Sequence, residues 1–142
     1  MARRAIVASL LTTIVGCLCL ASVAEAKVTG FVAQGGDVTC LHMTGSGLPA
    51  SLRCDTRRDA NAPPKPSSCT LDWGNAFAME RRGRAARLCH GDTVHGSATR
   101  RLRYGQVWER RDLRCRSTRR RLRCANRSGH GFVLRARRHT VF

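Results

Sequence analysis

Acidic residues, lysines and aromatic residues are all scarce in this sequence. Its 142 residues include 9 Asp and Glu against 26 Lys and Arg, a formal net charge of +17, and aromatic residues make up 5% of the chain. This length accommodates one small domain. Together the figures argue against a large enzyme, a multi-span membrane protein and a nucleotide-binding α/β fold. No pair of carboxylates stands out for general acid–base catalysis.

The first 26 residues have the composition of a signal peptide. Arg3 and Arg4 form a positive N-terminal region, residues 5–21 are almost wholly apolar, and residues 24–26 (Ala-Glu-Ala) form a small-x-small cleavage site. The apolar run is short for a membrane span. Cleavage after Ala26 leaves a single mature domain, residues 27–142, which we expect to be periplasmic or secreted.

A second cleavage site competes with the first. Residues 14–17 (Ile-Val-Gly-Cys) resemble a bacterial lipobox, in which Cys17 would be lipidated. The next residues, 18–20 (Leu-Cys-Leu), continue the hydrophobic run where a mature lipoprotein usually turns polar. We therefore expect secretion rather than a lipid anchor.

The eight cysteines are far more than a chain of this length ordinarily carries, and they argue against a disordered chain. Cys17 and Cys19 leave with the signal peptide, so an even number remains in an oxidising compartment and predicts three disulfides. Zinc is the competing interpretation, but no Cys-x-x-Cys pair remains. Six cysteines permit about fifteen pairings. The candidates are Cys40, Cys54, Cys69, Cys89, Cys115 and Cys124.

Four of these cysteines occur in a repeated apolar-polar-Cys pattern. The four copies are residues 38–40, 52–54, 113–115 and 122–124. Positions i and i+2 of a strand share a face, so each aliphatic side chain points the same way as its cysteine, and the intervening Thr or Arg faces solvent. Turn-forming residues separate the members of each pair, at 44–49 and at 117–120. The pattern predicts two cross-linked hairpins.

Cys69 and Cys89 are then left for each other. Residues 75–82 between them have a helix-favouring composition, whereas Leu71, Trp73, Phe77 and Met79 fall at strand-like spacing, and Gly83 suits a turn. We favour a third hairpin over a helix.

The predicted fold is all-β, a small antiparallel sheet or sandwich of hairpins held together by disulfides. Further strands are expected over residues 102–107, 131–134 and near the C-terminus, and residues 59–68 form an irregular connector. Trp73, Tyr104 and Trp108 are assigned to the core rather than to a stacking platform.

The motifs of the predicted mature chain follow one another in a distinctive order. They are Val38-Thr39-Cys40, Leu52-Arg53-Cys54-Asp55, Cys69, Trp73-Gly74, Cys89, Gly91-Asp92-Thr93-Val94, Tyr104-Gly105 with Trp108, Cys115, Cys124 and Gly129-His130-Gly131-Phe132. In this order the chain resembles a family of small secreted bacterial cysteine-rich domains of unknown function, and the resemblance covers residues 31–142. It implies an exported, cysteine-bridged domain and carries over no established activity, cofactor or catalytic residue.

Two imidazoles and a carboxylate lie close together in the sequence, at His90, Asp92 and His95. Their spacing matches no familiar zinc site, and a Gly-Asp turn in which Asp92 caps backbone N–H groups is the simpler interpretation. His130 stands between two glycines and could act as a general base, but no nucleophile motif accompanies it. A tight bend with a buried imidazole is the simpler reading. We expect no metal and no cofactor. A small hydrolytic or metal-dependent enzyme using His130, His90 and Asp92 is the alternative function.

Arginine dominates the charge, since only Lys27 and Lys65 are lysines. Guanidinium groups match the geometry of phosphate and carboxylate, although a GC-rich genome and a solvated surface would also explain them. The expected function is a non-enzymatic module that associates with anionic envelope polymers (lipopolysaccharide or teichoic acid), lipid headgroups or an exported partner protein, and binds nucleic acid only non-specifically. Several clusters fall at predicted turns and could crown one end of the sheet. The candidate residues are Arg100, Arg101, Arg103, Arg119, Arg120, Arg121 and Arg123.

Overall fold

The computed structural model describes residues 25–45, 47–58 and 60–142, and they form two five-stranded antiparallel sheets. The first sheet consists of β1 (Lys27–Ala33), β2 (Val38–Gly45), β3 (Leu48–Thr56), β4 (Asp72–Glu80) and β5 (Ala86–His90). The second consists of β6 (Val107–Arg110), β7 (Leu113–Ser117), β8 (Leu122–Ala125), β9 (Gly131–Arg135) and β10 (Arg138–Val141). The predicted signal peptide, the lipobox and Cys17 lie outside the described residues. Within the described ranges, no helix has the length and apolarity to cross a membrane.

Each strand pairs with the next strand along the chain, so both sheets are simple meanders. The all-β antiparallel prediction is therefore confirmed. The third hairpin is also confirmed, because Phe77 of β4 pairs with Arg87 of β5 and no helix forms over residues 75–82. The expected strands at 131–134 and at the C-terminus are present as β9 and β10.

The predicted strand over residues 102–107 is wrong. This segment turns before β6 begins at Val107: the Gln106 N–H donates to the Arg103 carbonyl, and the Gln106 side chain accepts from the Arg103 N–H. Gly105 has a φ of +85°, a left-handed conformation that a glycine adopts without strain. The apolar residues of the segment matched a strand, but Gly105 and Gln106 stabilise a turn.

The two sheets pack face to face around one hydrophobic cluster. Ring contacts join them at two places: Phe31 of β1 lies 5.2 Å from Trp108 of β6, and Phe77 of β4 lies 5.7 Å from Phe132 of β9, measured between ring centroids. Alternation explains which residues enter the core, since Leu113, Cys115 and Ser117 are buried while Arg114 and Arg116 are exposed. The fold is a β-sandwich.

The structure forms the three predicted disulfides, with sequential pairing. Cys40–Cys54 joins directly opposed residues of β2 and β3, and Cys115–Cys124 joins directly opposed residues of β7 and β8. All four of these cysteines are fully buried in the shared core. Cys69–Cys89 instead ties the connector before β4 to the edge strand β5. Two bridges therefore lie inside the sandwich and one at its edge.

The outer face of the first sheet is covered by residues 91–103, which we call the crossing segment. Its residue Arg100 accepts a hydrogen bond from the Val32 N–H at 2.7 Å, and the Leu102 N–H donates to the Val32 carbonyl at 2.9 Å. The Val94 N–H donates to the carboxylate of Asp55 at 3.0 Å. The crossing segment thus pairs with the edge of β1 and packs over β3.

This covering corrects the expectation that Thr39 and Arg53 face solvent. Thr39 is 2% exposed and its hydroxyl lies 2.9 Å from Nδ1 of His95. Arg53 bridges two carboxylates, with contacts of 2.9 Å to Asp55 and 2.8 Å to Asp92. Alternation had correctly placed both side chains on the outer face, but the crossing segment lies on top of them.

Removal of a disulfide tests how far the sandwich depends on it. Replacing both Cys69 and Cys89 by Ala should lower the free energy of unfolding by about 3 kcal/mol, the loop-entropy value for a bridge of this span. Replacing Cys115 and Cys124 by Ala should cost more, because buried sulfur packing is lost as well. Complete reduction should abolish cooperative unfolding. Thermal and urea melts measure all three, and a sharp transition in fully reduced protein would contradict the dependence.

The Arg53 bridge yields a second prediction. Arg53→Met keeps the packing of the aliphatic stem but leaves the Asp55 carboxylate, 1% exposed, without its cation. Because a buried charge that loses its partner is strongly destabilising, unfolding should become easier by about 3 kcal/mol. Asp92→Asn is the matched control: its carboxylate is 78% exposed, so the loss should be much smaller. Equal losses in urea melts would show that Asp55 does not need Arg53.

Candidate functional site

The exposed side of the second sheet carries six arginines, and we call it the arginine face. Strand alternation produces it, because the residues between these arginines point into the core. In contrast to the outer side of the first sheet, no segment among the described residues crosses it. Its members are Arg114, Arg116, Arg121, Arg123, Arg135 and Arg138.

The arginines of this face stand opposite one another. Arg116 of β7 pairs in register with Arg123 of β8, and Arg135 of β9 pairs with Arg138 of β10. Neighbouring strands lie about 4.8 Å apart, so like charges at opposed positions repel and destabilise a sheet. The arginines of the face therefore repel one another, and an anion that lies across the face would reduce this repulsion.

Carboxylates neutralise little of this array. Within the described ranges, Glu109 is the one acidic residue paired with it, through a contact of 3.7 Å to Arg114. Arg123 places its guanidinium 4.5 Å above the ring of Phe142, a cation–π contact that leaves the charge in place. The arginine face is therefore a cationic surface without matching anions of its own.

A cleft opens between the two sheets at the end of the sandwich that also contains the 3-10 turn Gln34–Gly36. We call this end the arginine end. The cleft has a volume of about 220 Å3. Four arginines line it: two directly follow β3, one lies in the β7–β8 turn and one ends β9. They are Arg57, Arg58, Arg119 and Arg135.

The 3-10 turn shapes one wall of this cleft. Gly35 and Gly36 have φ angles of +70° and +111°, which favour glycine and let the chain reverse tightly between β1 and β2. The Gln34 side chain then reaches across to the second sheet and donates to the Thr118 carbonyl at 2.7 Å. The Arg57 guanidinium donates to the Gly36 carbonyl at 3.1 Å. The bond from Gln34 joins the two sheets at the cleft, and the bond from Arg57 ties the segment after β3 to the 3-10 turn.

Tyr104 stands beside the cleft and is 51% exposed, so its assignment to the core is wrong. The turn that ends the crossing segment carries it outward, whereas Trp108, four residues later in β6, is buried as expected. Tyr104 also lines a second depression of about 380 Å3 together with Arg101 and Arg103. The exposed ring thus lies between two arginine-lined hollows.

The opposite end of the sandwich has basic residues too, and one carboxylate, that of Asp112, pairs with two of them. Arg81 contacts Asp112 at 2.5 Å, and Arg127 contacts the same carboxylate at 3.8 Å. The hydrogen bond from Arg81 holds the pKa of Asp112 below its usual value. At the arginine end, among the described residues, Asp37 contributes one contact, 4.0 Å from Arg58. The carboxylate of the arginine end is therefore the more weakly paired of the two.

The candidate arginines of the sequence fall into three places. Arg119 lines the cleft, and Arg120 and Arg121 occupy the same β7–β8 turn. Arg123 belongs to the arginine face, whereas Arg101 and Arg103 line the second depression. Arg100 lines neither hollow, and its backbone carbonyl is used to hold the crossing segment.

Sequence reasoning missed several arginines that the structure brings to this region. Arg114 and Arg116 were within reach, because they alternate with Leu113 and Cys115 in the same apolar-polar-Cys pattern. Arg135 and Arg138 follow the same alternation across the β9–β10 turn. Arg57 and Arg58 had no local signal, since only the packing of the two sheets places the end of β3 at the cleft.

His90 and Asp92 are engaged in structural contacts. His90 is buried, with Nδ1 2.7 Å from the Asp92 carbonyl and Nε2 2.8 Å from Oδ1 of Asn75. The Asp92 carboxylate binds Arg53, and this hydrogen bond lowers the pKa of Asp92. Its contribution to stability is thus present at neutral pH and is lost as the pH falls through the lowered pKa.

His130 lies at the other end of the sandwich, in the β8–β9 turn, and the structure does not bring it near His90. It is the Asn126 side chain that organises this turn: its oxygen accepts from the N–H groups of Ser128 and His130 at 3.0 and 3.1 Å. The imidazole of His130 is half-buried and does not fill the buried position expected for it. Among the described residues, no three His, Cys, Asp or Glu side chains are grouped to hold a metal ion.

Comparison with protein families assigns this chain to one family of unknown function. The model of a family of unknown function, DUF6636, matches residues 10–142. The chain belongs to this family. No curated protein and no solved structure matches it. That other members share the cysteine pattern stays a prediction.

Repulsion within the arginine face can be measured as stability. Arg116→Thr removes one of two opposed charges and should raise the free energy of unfolding by about 0.5 kcal/mol at 0.01 M salt. The gain should vanish near 1 M salt, where charges on the surface are screened. Arg84→Thr, in the exposed β4–β5 turn, is the control and should show no such salt dependence. A gain that persists at high salt would indicate β propensity rather than charge.

Proposed function

We propose that this protein is an exported, disulfide-bridged module that binds phosphate-bearing anionic polymers of the cell envelope. The observation that carries the proposal is the arginine face, an array of six guanidinium groups in which Glu109 supplies the one paired carboxylate among the described residues. Anions that repeat along a polymer match charges that repeat across a sheet.

The chemistry of arginine supports phosphate as the group that is recognised. A guanidinium group presents several N–H donors in a planar fork that fits phosphate oxygens, and it stays charged at any physiological pH. Strands about 4.8 Å apart and residues about 7 Å apart along each strand form a grid of such forks. An extended polyanion can contact several of them at once.

The proposed location of the protein outside the cytoplasm determines which polyanions this surface can meet. Three disulfides are consistent with an oxidising location outside the cytoplasm. There the abundant polyanions are lipopolysaccharide, teichoic acid and anionic headgroups. Secretion through the leader at residues 1–26 and cleavage after Ala26 are part of the proposal.

Nucleic acid fits the surface less well as a specific ligand. Reading of bases requires either side chains that enter a groove or aromatic rings on which bases stack. Among the described residues, the one aromatic ring in contact with an arginine of this face is that of Phe142, and it lies beneath Arg123. Binding of nucleic acid through this face would therefore depend on charge alone.

The double variant Arg116→Gln/Arg123→Gln tests the proposal, because it removes the opposed pair at the centre of the face. Binding of the oxidised mature domain to lipoteichoic acid and to lipopolysaccharide should weaken, and the slope of log K against log salt should fall in magnitude by about 2. Dissociation constants over a salt series measure both. DNA serves as a third ligand.

The matched control is Arg82→Gln/Arg84→Gln, which removes the same charge from the exposed turn between β4 and β5 at the opposite end. This control should keep the affinity of the wild-type protein to within a small factor. Equal losses in both variants would mean that only the net charge acts. Equal binding by folded and by reduced, unfolded protein would overturn the proposal and turn the search to an exported partner protein.

A further inference from the structure

We infer that the arginine end binds one anionic sugar unit, with the sugar ring on Tyr104 and its phosphate or carboxylate among the arginines of the cleft. The inference rests on the proposed function, because it takes this unit to belong to the polymer that lies on the arginine face. The contact with Tyr104 would add selectivity for a sugar to a surface that otherwise binds any anion through charge.

The cleft has room and lining for part of an organic ligand. Its volume is about 220 Å3, several times the roughly 30 Å3 that a liquid water molecule occupies. Val38 and Leu134 contribute buried apolar lining, and Thr56 and His139 contribute buried polar lining. A mixture of apolar surface and a few placed polar groups is typical of sites for small organic molecules. A sugar ring has both kinds of surface.

The charge at the cleft mouth selects an anion. Arg57, Arg58, Arg119 and Arg135 line it. Asp37 is the one carboxylate among the described lining residues, and its contact with Arg58 is long, at 4.0 Å. The cleft therefore has an excess of positive charge that its own side chains do not neutralise. A phosphate or carboxylate substituent would supply the missing negative charge.

Tyr104 provides the surface for the ring. Its side chain is half exposed and borders both the cleft and the second depression. An exposed aromatic ring offers an apolar face together with a hydroxyl that can form hydrogen bonds. Arg101 and Arg103 lie beyond it in the second depression. A sugar on Tyr104 would therefore have guanidinium groups on both sides, as successive units of an anionic polysaccharide require.

The cleft is organised before any ligand binds. The Thr56 hydroxyl donates to the Arg58 carbonyl at 2.7 Å, and Nε2 of His139 lies 3.1 Å from the same oxygen. Asn61 accepts from the His139 N–H at 2.6 Å. Together with the bond from Gln34 to the second sheet, these contacts fix the backbone around the mouth. Little conformational entropy remains to be lost there on binding.

Small monomeric probes test this site without the polymer. The oxidised mature domain is titrated with glucose 6-phosphate, glucuronate, inorganic phosphate and glucose at one salt concentration, followed by amide chemical shifts. At least one of the two anionic sugars should bind about tenfold more tightly than inorganic phosphate and than glucose. Whether glucose 6-phosphate or glucuronate binds more tightly decides whether phosphate or carboxylate is preferred. If neither exceeds inorganic phosphate, the inference is overturned.

Two variants assign the binding to the cleft. Tyr104→Ala should reduce the affinity for the anionic sugar to that for inorganic phosphate, while Tyr104→Phe should keep most of it, because the ring remains. Arg119→Gln should weaken both the anionic sugar and inorganic phosphate, and Arg84→Gln is its charge-matched control. Unchanged sugar binding in Tyr104→Ala would contradict the inference, provided that its amide spectrum shows the native fold.

Failure of this inference differs from failure of the proposed function. The face variant Arg116→Gln/Arg123→Gln should lose polymer binding and keep binding of the monomeric sugar. Tyr104→Ala should lose binding of the monomeric sugar and, at low salt, keep polymer binding. If the protein binds the polymer but shows no preference for an anionic sugar, the inference about the cleft is contradicted and the proposed function of the arginine face is kept. Sugar binding at Tyr104 without polymer binding removes the proposed arginine-face function and leaves the cleft as the site.

Discussion

The disulfide between β7 and β8 is the constraint on which the arginine face depends. Cys115 and Cys124 are directly opposed in the core, and Arg116 and Arg123, the next residues in register, are directly opposed on the outer side. The covalent bridge joins the two strands that their outer charges push apart. In a domain of this size the hydrophobic core leaves a small margin of stability, so a cross-link worth about 3 kcal/mol can offset the repulsion of such an array.

The two sheets use their outer faces differently, and the few carboxylates explain how. On the first sheet, Asp55 and Asp92 bind Arg53 and secure the crossing segment over the face. At the end away from the cleft, Asp112 neutralises Arg81. On the second sheet, Glu109 is the one partner among the described residues. Acidic residues therefore stabilise the crossing segment and the contact between Arg81 and Asp112, and they leave most of the arginine face without paired carboxylates.

Local pattern was sufficient for most of the fold. Alternation of apolar residues and cysteines predicted the hairpins and their cross-links, because both depend on neighbours in sequence and on the two-residue period of a strand. Contacts between segments that are distant in sequence could not be predicted from local pattern. Nothing near Arg53 shows that residues 91–103 lie over it, and the apolar residues of 102–107 concealed a turn. Tyr104 was assigned to the core from its residue type, although the position of its turn exposes it.

The sequence predicted that arginine would form the candidate site, but it did not predict how the arginines are arranged. The abundance of arginine indicated an anionic partner, but only the sandwich shows that alternation in four strands and turns gathers six arginines on one face, and that the end of β3 adds Arg57 and Arg58 to a cleft. A reduced, unfolded chain carries the same net charge without this arrangement. The effects of charge and of geometry can therefore be separated in this protein: the unfolded chain offers the same charge to any polyanion, and the proposed selectivity between polyanions depends on the surface that the oxidised fold forms.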